Sequence, residues 1–263
     1  MTHSRRQTEQ PHPAELPRAQ VLLDRTNWAS LATACGTGEA LPAALALLTD
    51  PDPVIRRSAL QDALEPVTHQ NSIYGATVPV ALYVAAILSH PAISAGDGNP
   101  GVETQNRPML VQLLGWLGDT AYDADDQCVA AAGRFCDEED EEMRAFRDAR
   151  PAIFSAVQAF LDHDDAAVRH TALVAAIPLT EHPLLTRHQA DLAGHARRLL
   201  DTSTDRRHRD RVLDALKTWG HDTTGLENAS DTAAREHHAR LRAARASWNG
   251  SWTGGGYSDD PPF

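Results

Sequence analysis

The chain has 263 residues, of which 42% are hydrophobic and only 5% aromatic, enough for one large domain or two small ones around a buried core. Its 24 Lys and Arg face 36 Asp and Glu, a formal charge of −12. That field opposes a phosphate backbone, so nucleic acid is disfavoured and a basic or neutral protein partner is expected.

Ala and Leu dominate the apolar set, a helical palette, because both lose little on entering a helix whereas strands favour β-branched and aromatic residues. Lys217 is the only lysine, which with the abundant Ala reads as the codon usage of a GC-rich bacterial genome. Cys35, Cys128 and Cys136 are too few and too scattered for a disulfide framework and read as reduced thiols of a cytoplasmic protein. The polar start, with prolines at 11, 13 and 17, has no apolar signal-peptide core. The longest apolar run, Val78 to Leu88, is far short of the roughly 20 residues that span a bilayer, so no membrane contact is expected.

In chain order, residues 1–18 read as a disordered arm. Trp28, Leu31, Ala32 and Cys35 recur at helical spacing behind Thr26 or Asn27, and Gly36 and Gly38 end that predicted helix. Leu41, Leu45 and Leu48 line the next one. Thr49 to Pro53 breaks the chain, and Val54 to Leu64 resumes helix with Ile55, Ala59 and Leu60 inward. Val78 to Leu88 and Met109 to Leu117 form a second pair around a Gly/Pro-rich insertion, Pro91 to Gln105. A helix begins near Met143, a looser copy of the pair occupies Leu192 to Leu216, and residues 227–247 form a C-terminal helix. The tail 248–263, with its Gly254 to Gly256 run, reads as flexible.

The first helix-turn-helix returns without a gap 113 residues later, about three units of somewhat under 40 residues. Leu48, Asp52, Arg56, Ala59 and Leu60 lie over Leu161, Asp165, Arg169, Ala172 and Leu173, and Ile55 meets Val168. The physical reading is direct. Leucines close the first helix, Asp52 or Asp165 caps the second, and Ala59 or Ala172 permits close approach. Arg56 and Arg169 are expected to pair with aspartates of a neighbouring turn. Each pair leaves one face unburied until the next stacks on it. The expected fold is therefore all-α, a solenoid of stacked antiparallel helix pairs over residues 19–226 with essentially no sheet. Its core should take in Leu45, Leu48, Ile55, Leu60, Leu82, Val84, Leu113, Leu117, Phe160, Leu161, Val168, Leu173, Leu199 and Leu213.

These residues resemble the HEAT repeat and the related phycobiliprotein-lyase-type HEAT-like repeat, whose shared signature runs leucine, acidic turn, valine-arginine, alanine-leucine. The resemblance covers residues 39–218. It implies a curved, armadillo-like right-handed stack with a concave binding surface, on a fold that hosts scaffolds, lyases and adaptors alike. A second resemblance is to bacterial HEAT-repeat proteins proposed as toxin immunity proteins; it rests on Trp28 and on the linker from Val67 to Thr77.

Three features invite chemistry. The linker side chains His69, Gln70 and Tyr74 either read a partner's backbone or serve helix ends, with Ser72 or Thr77 capping the next helix. An acidic belt from Asp119 to Glu142 holds ten acidic residues and one arginine, Arg134. Its unbroken run is Asp137, Glu138, Glu139, Asp140, Glu141 and Glu142, which either holds a cationic partner such as a basic nuclease toxin or is a solvated helix start. Of the 13 histidines, the clusters at His163 with Asp164 and Asp165 and at His237-His238 lack the i, i+4 spacing of a helical metal site. No metal, cofactor or catalytic residue is expected, since no nucleophile or phosphate motif stands out. Trp248, Trp252, Tyr257 and Phe263 in the tail are either a linear motif or a cover for the last helix pair. The functional expectation is a non-catalytic protein-binding module, in its sharpest form an immunity protein. The alternatives are a scaffold or adaptor, or a HEAT-type lyase or DNA-glycosylase-like enzyme with a basic lining at Arg197 to Arg211.

Overall fold

The computed structural model describes residues 16–94, 107–132 and 140–251, and it is mostly helical. The arm 1–15, most of the insertion, the acids Asp137 to Glu139, Cys136 and the tail from Trp252 lie outside the described residues. Internal packing divides the chain into two compact units, Met1–Ala196 and Arg197–Phe263.

The first unit opens with helix α1 (Ala19–Arg25), and the segment after it departs from expectation. In place of a helix through Cys35, Trp28–Ser30 makes one 3-10 turn and the chain then folds into a hairpin of β1 (Ala32–Thr33) and β2 (Gly36–Thr37). This two-stranded pairing is the only sheet among the described residues. Its cause is long-range. The Ala34 N–H donates to the Pro66 carbonyl at 2.8 Å and the Ala32 carbonyl accepts from the Ala76 N–H at 3.1 Å, so the backbone is spent on another segment. Gly36, at φ +140°, makes the return. Trp28 still faces inward, its indole N–H donating to the Leu23 carbonyl at 3.1 Å.

The remaining helices of this unit are α2 (Leu41–Leu47), α3 (Pro53–Leu64), α4 (Thr77–Ile87), the short α5 (Pro91–Ser94), α6 (Met109–Asp123), α7 (Asp126–Ala132), α8 (Glu141–Val157) and α9 (Ala166–Leu179). Helix α10 (Gln189–Thr202) runs across the division, and α11 (Arg206–Thr218) and α12 (Ala229–Ser251) belong to the second unit. The C-terminal helix, expected over 227–247, runs over Ala229–Ser251 and so takes in the first residues assigned to the tail. Within the first unit α2 packs on α3, α1 and α8 on α4, and α6 and α8 on α9. A close approach occurs at Gly118 of α6, where an added Cβ would sit 2.9 Å from Cα of Ala175 on α9.

The repeated turn works through a device only half anticipated. Asp52 accepts from the Val54 N–H at 2.8 Å, and Asp165 accepts from the Ala167 and Val168 N–H groups at 2.7 and 3.3 Å, as caps should. The arginines one turn later reach main-chain carbonyls. Arg56 donates to the carbonyls of Asp50 and Pro51 at 2.7 and 3.1 Å, and Arg169 to those of His163 and Asp164, both at 2.6 Å. Carbonyls left over where one helix stops are thereby satisfied by a side chain from the next helix. The device recurs in the second unit, where Asp205 caps α11 and Arg209 reaches the carbonyls of Leu200 and Ser203.

A second correction concerns the core. Arg56 is 5% exposed while its neighbours Ile55 and Val54 face outward at 39% and 68%, unlike the second copy, where Arg169 is half-buried and Val168 is buried at 3%. Leu60, Leu82 and Leu161 are half-buried rather than core. The other ten predicted core residues are buried, among them Leu45, Leu48, Leu113 and Leu117 at 0%.

Candidate functional site

The linker after α3 is braced from three sides. The Trp116 indole N–H donates to Thr68 Oγ1 at 3.1 Å, and that hydroxyl donates to the Leu64 carbonyl. Thr77 Oγ1 accepts from the Tyr74 N–H at 2.8 Å and donates to the Val67 carbonyl. The predicted capping role therefore fails: neither Ser72 nor Thr77 caps α4, whose N-cap position is Ala76 without a side-chain bond. The Tyr74 hydroxyl donates to the His69 carbonyl at 3.3 Å, so His69, Gln70 and Tyr74 do gather at one kink. Between these ties Gln70 and Asn71 hold φ of 54° and 59°, a left-handed pair of non-glycine residues. Such residues cost of order 1–3 kcal/mol each and persist only where the surroundings enforce them. His69 and Gln70 are exposed on this rigid knuckle, while Tyr74 is half-buried.

Of the acidic run, Asp140, Glu141 and Glu142 are described. Asp140 caps α8, accepting from the Glu142 and Met143 N–H groups at 2.9 and 3.4 Å, and the two glutamates occupy the first turn, where the helix dipole favours them. Hydrogen bonding to Asp140 lifts the Glu142 carboxyl above its ordinary value. Further along α8, Arg147 pairs with Asp126 at 2.6 Å. Arg150, 1% exposed, donates to the Ala124 carbonyl at 2.7 Å and pairs with Glu181 at 3.2 Å. Glu181 also accepts from the Asp126 N–H at 3.0 Å, so one buried guanidinium joins the start of α7 to α8 and to the turn after α9. Burial pushes the Glu181 carboxyl up and the Arg150 guanidinium down. Burial and Asp125 together push the Cys128 thiol up to about 11, which leaves it protonated and a poor nucleophile.

The second unit holds its own charge network. Arg209, 3% exposed, donates to both carboxylate oxygens of Asp231, the shortest contact being 2.6 Å, and to the Leu226 carbonyl. Arg206 bridges Asp210 at 2.8 Å and bonds the Ser230 carbonyl. These ties pin only the first turn of α12. Beyond it an open cleft of about 330 Å³ runs between α11 and α12, with Asp210, Asp214 and Lys217 on one wall and Arg235, His238 and Arg242 on the other. Lys217 and Arg235 both pair with Glu227 at its end. No group of three His, Cys, Asp or Glu among the described residues could hold a metal ion. His163 instead accepts from the Asp165 N–H, and His237 and His238 are exposed.

Sequence reasoning missed two surfaces. One is apolar: Leu47, Val54 and Ile55 are 43%, 68% and 39% exposed at the α2–α3 turn. The other is charge polarity. Residues 1–196 carry 26 acidic and 13 basic residues, whereas 197–251 carry 8 and 11, a contrast that the chain average conceals. No family model, curated protein or solved structure matches the chain.

Proposed function

We propose that this chain is a stack of HEAT-like helix pairs that acts by gripping and occluding a protein partner, without turnover, and in the sharpest form is an immunity protein for a toxin. The observation that carries the reading is the turn device repeated at Asp52/Arg56, Asp165/Arg169 and Asp205/Arg209. It welds each helix end to the next helix start and so makes rigid pairs, the unit from which solenoids are built. Packing of α4 on α8 together with α6 on α9 is what successive stacked pairs produce.

The grip is assigned to the first unit. Val54, Ile55 and Leu47 supply exposed aliphatic anchors, the braced knuckle offers His69 and Gln70, and the acidic excess around Asp140, Glu141 and Glu142 steers a basic partner. A stable complex on such a surface buries about 1,200 Å² or more. Growth rescue by co-expression with the toxin tests the reading. Protection should need chain levels equal to the toxin or higher, and rescue at small sub-stoichiometric levels would point to an enzyme that modifies its target.

A further inference from the structure

The cleft between α11 and α12 has its walls fixed by ties at its ends. Arg206 and Arg209 hold Asp231 of α12 against α11, and Arg209 and Asp231 are both buried. Arg209 also holds the loop between the two helices, through the Leu226 carbonyl at 3.1 Å. Glu227 in that loop pairs with Lys217 of α11 at 3.2 Å and with Arg235 of α12. Both walls are therefore in place before anything enters. The space of about 330 Å³ falls at the lower end of the range that small ligands occupy, roughly 300–1,000 Å³.

The charges along the cleft do not balance one another. Arg206 is matched by Asp210 at 2.8 Å, and Asp231 by Arg209 at 2.6 Å. Glu227 is a single carboxylate shared by two cations, Lys217 and Arg235, so one positive charge there has no counterpart. Arg242 on the α12 wall makes no ion pair or hydrogen bond among the described residues. On the α11 wall the Asp214 carboxylate likewise makes none. Partial removal from water pushes the Asp214 carboxyl above its ordinary value, outweighing the opposite pull of Lys217 one turn on. Two positive charges and one negative charge are left over.

A ligand with one ammonium and two negative charges answers all three. A simple dianion would bring like charge towards Asp214, and a simple cation would meet the surplus at Arg242 and Arg235. His238, between Arg235 and Arg242 on the same wall, adds a hydrogen-bonding group for the anionic end. We propose that the α11–α12 cleft binds a small molecule carrying one ammonium and two negative charges, the chemistry shared by an amino dicarboxylate and an amino phosphate. Asp214 takes the ammonium, while Arg242 and the Lys217–Arg235 pair take the anionic groups. This site belongs to the second unit and lies beyond the protein-gripping reading, which concerns the first.

The test is calorimetric titration of the full chain at low salt, about 20 mM, where exposed charges are least screened. The probes are L-glutamate and O-phosphoethanolamine; the controls are glutarate, which lacks the ammonium, and cadaverine, which lacks the anions. At least one probe should bind saturably with a Kd of about 1 mM or tighter, and which one binds distinguishes carboxylate from phosphate. Both controls should bind about fivefold more weakly, the effect of one solvent-exposed pair. Asp214→Asn should weaken the probe by the same factor of about five and leave glutarate unchanged or tighter, a split that mere loss of structure does not produce. Arg242→Gln should weaken both, and Arg242→Lys should restore them. Both side chains are exposed, so the variants should melt with the parent. The parent's preference for probe over glutarate needs no variant, and it decides even where a variant unfolds. The proposal is overturned by no saturable binding of either probe up to about 10 mM, by glutarate or cadaverine binding as well as the probe, or by a folded Arg242→Gln variant with unchanged affinity. It is equally overturned by a folded Asp214→Asn variant that weakens probe and glutarate alike.

Discussion

Asp165 and Arg169 divide one task. The aspartate satisfies N–H groups at the start of α9 and the arginine satisfies carbonyls at the close of the preceding turn, so each has a separable cost. Asp165→Ala should cost about 1 kcal/mol in urea unfolding and Asp165→Asn much less, because an amide oxygen still caps. The Arg209–Asp231 pair is heavier, since both groups are buried. Removing the acid leaves a cation in the interior, so Asp231→Ala should cost about 3–5 kcal/mol. The same pair sets an acid limit. Hydrogen bonds from Arg209 hold the Asp231 carboxyl below its ordinary 3.8. A carboxylate whose folded value is depressed stabilises the fold above the unfolded value, and that contribution disappears as pH falls through the folded one. Stability of the second unit should therefore fall below about pH 4, and Asp231→Asn should flatten that fall in an acid titration followed by tryptophan fluorescence.

Among the elements, α6 and α9 are held at a separation that Gly118 permits. Gly→Ala in a helix interior ordinarily gains about 1 kcal/mol, but here the new methyl meets the Ala175 backbone at 2.9 Å, so the helices must separate. Gly118→Ala should lower the melting temperature, and Gly118→Val should lower it further, as overpacking typically costs 1–3 kcal/mol. The success of periodicity follows from the same packing. Helix pairs bury one stripe each, so Leu45, Leu113 and Val168 could be placed from spacing alone. Trp28 to Cys35 has the same spacing and is not a helix, because its backbone bonds go to Pro66 and Ala76, partners more than 30 residues away that no local pattern encodes. The linker was legible as a cluster of polar side chains, but its left-handed Gln70 was not, since glutamine carries no preference for positive φ and the surrounding braces impose it. The polarity between 1–196 and 197–251 was in the sequence throughout and vanished on averaging.

For the whole molecule, separating an acidic, partly apolar first unit from an arginine-rich second one gives each surface its own response to change. Rim charges mainly set association rate, so neutralising Asp140, Glu141 and Glu142 to amides should slow binding of a basic protein partner and weaken its salt dependence. The cap at Asp140 survives this change, because an asparagine oxygen accepts the same bonds. Aliphatic anchors act on the other side of the kinetics. If Val54 and Ile55 fill a partner's pocket, Val54→Asp/Ile55→Asp should raise the dissociation rate at least tenfold, the effect of about 1.4 kcal/mol. Both side chains are exposed in the free chain, so the double variant should melt within a few degrees of the parent. Affinity that falls while the melting temperature holds would locate the grip at the α2–α3 turn. Unchanged affinity in a stably folded variant would remove that turn from the interface and leave the braced linker as the first unit's contact.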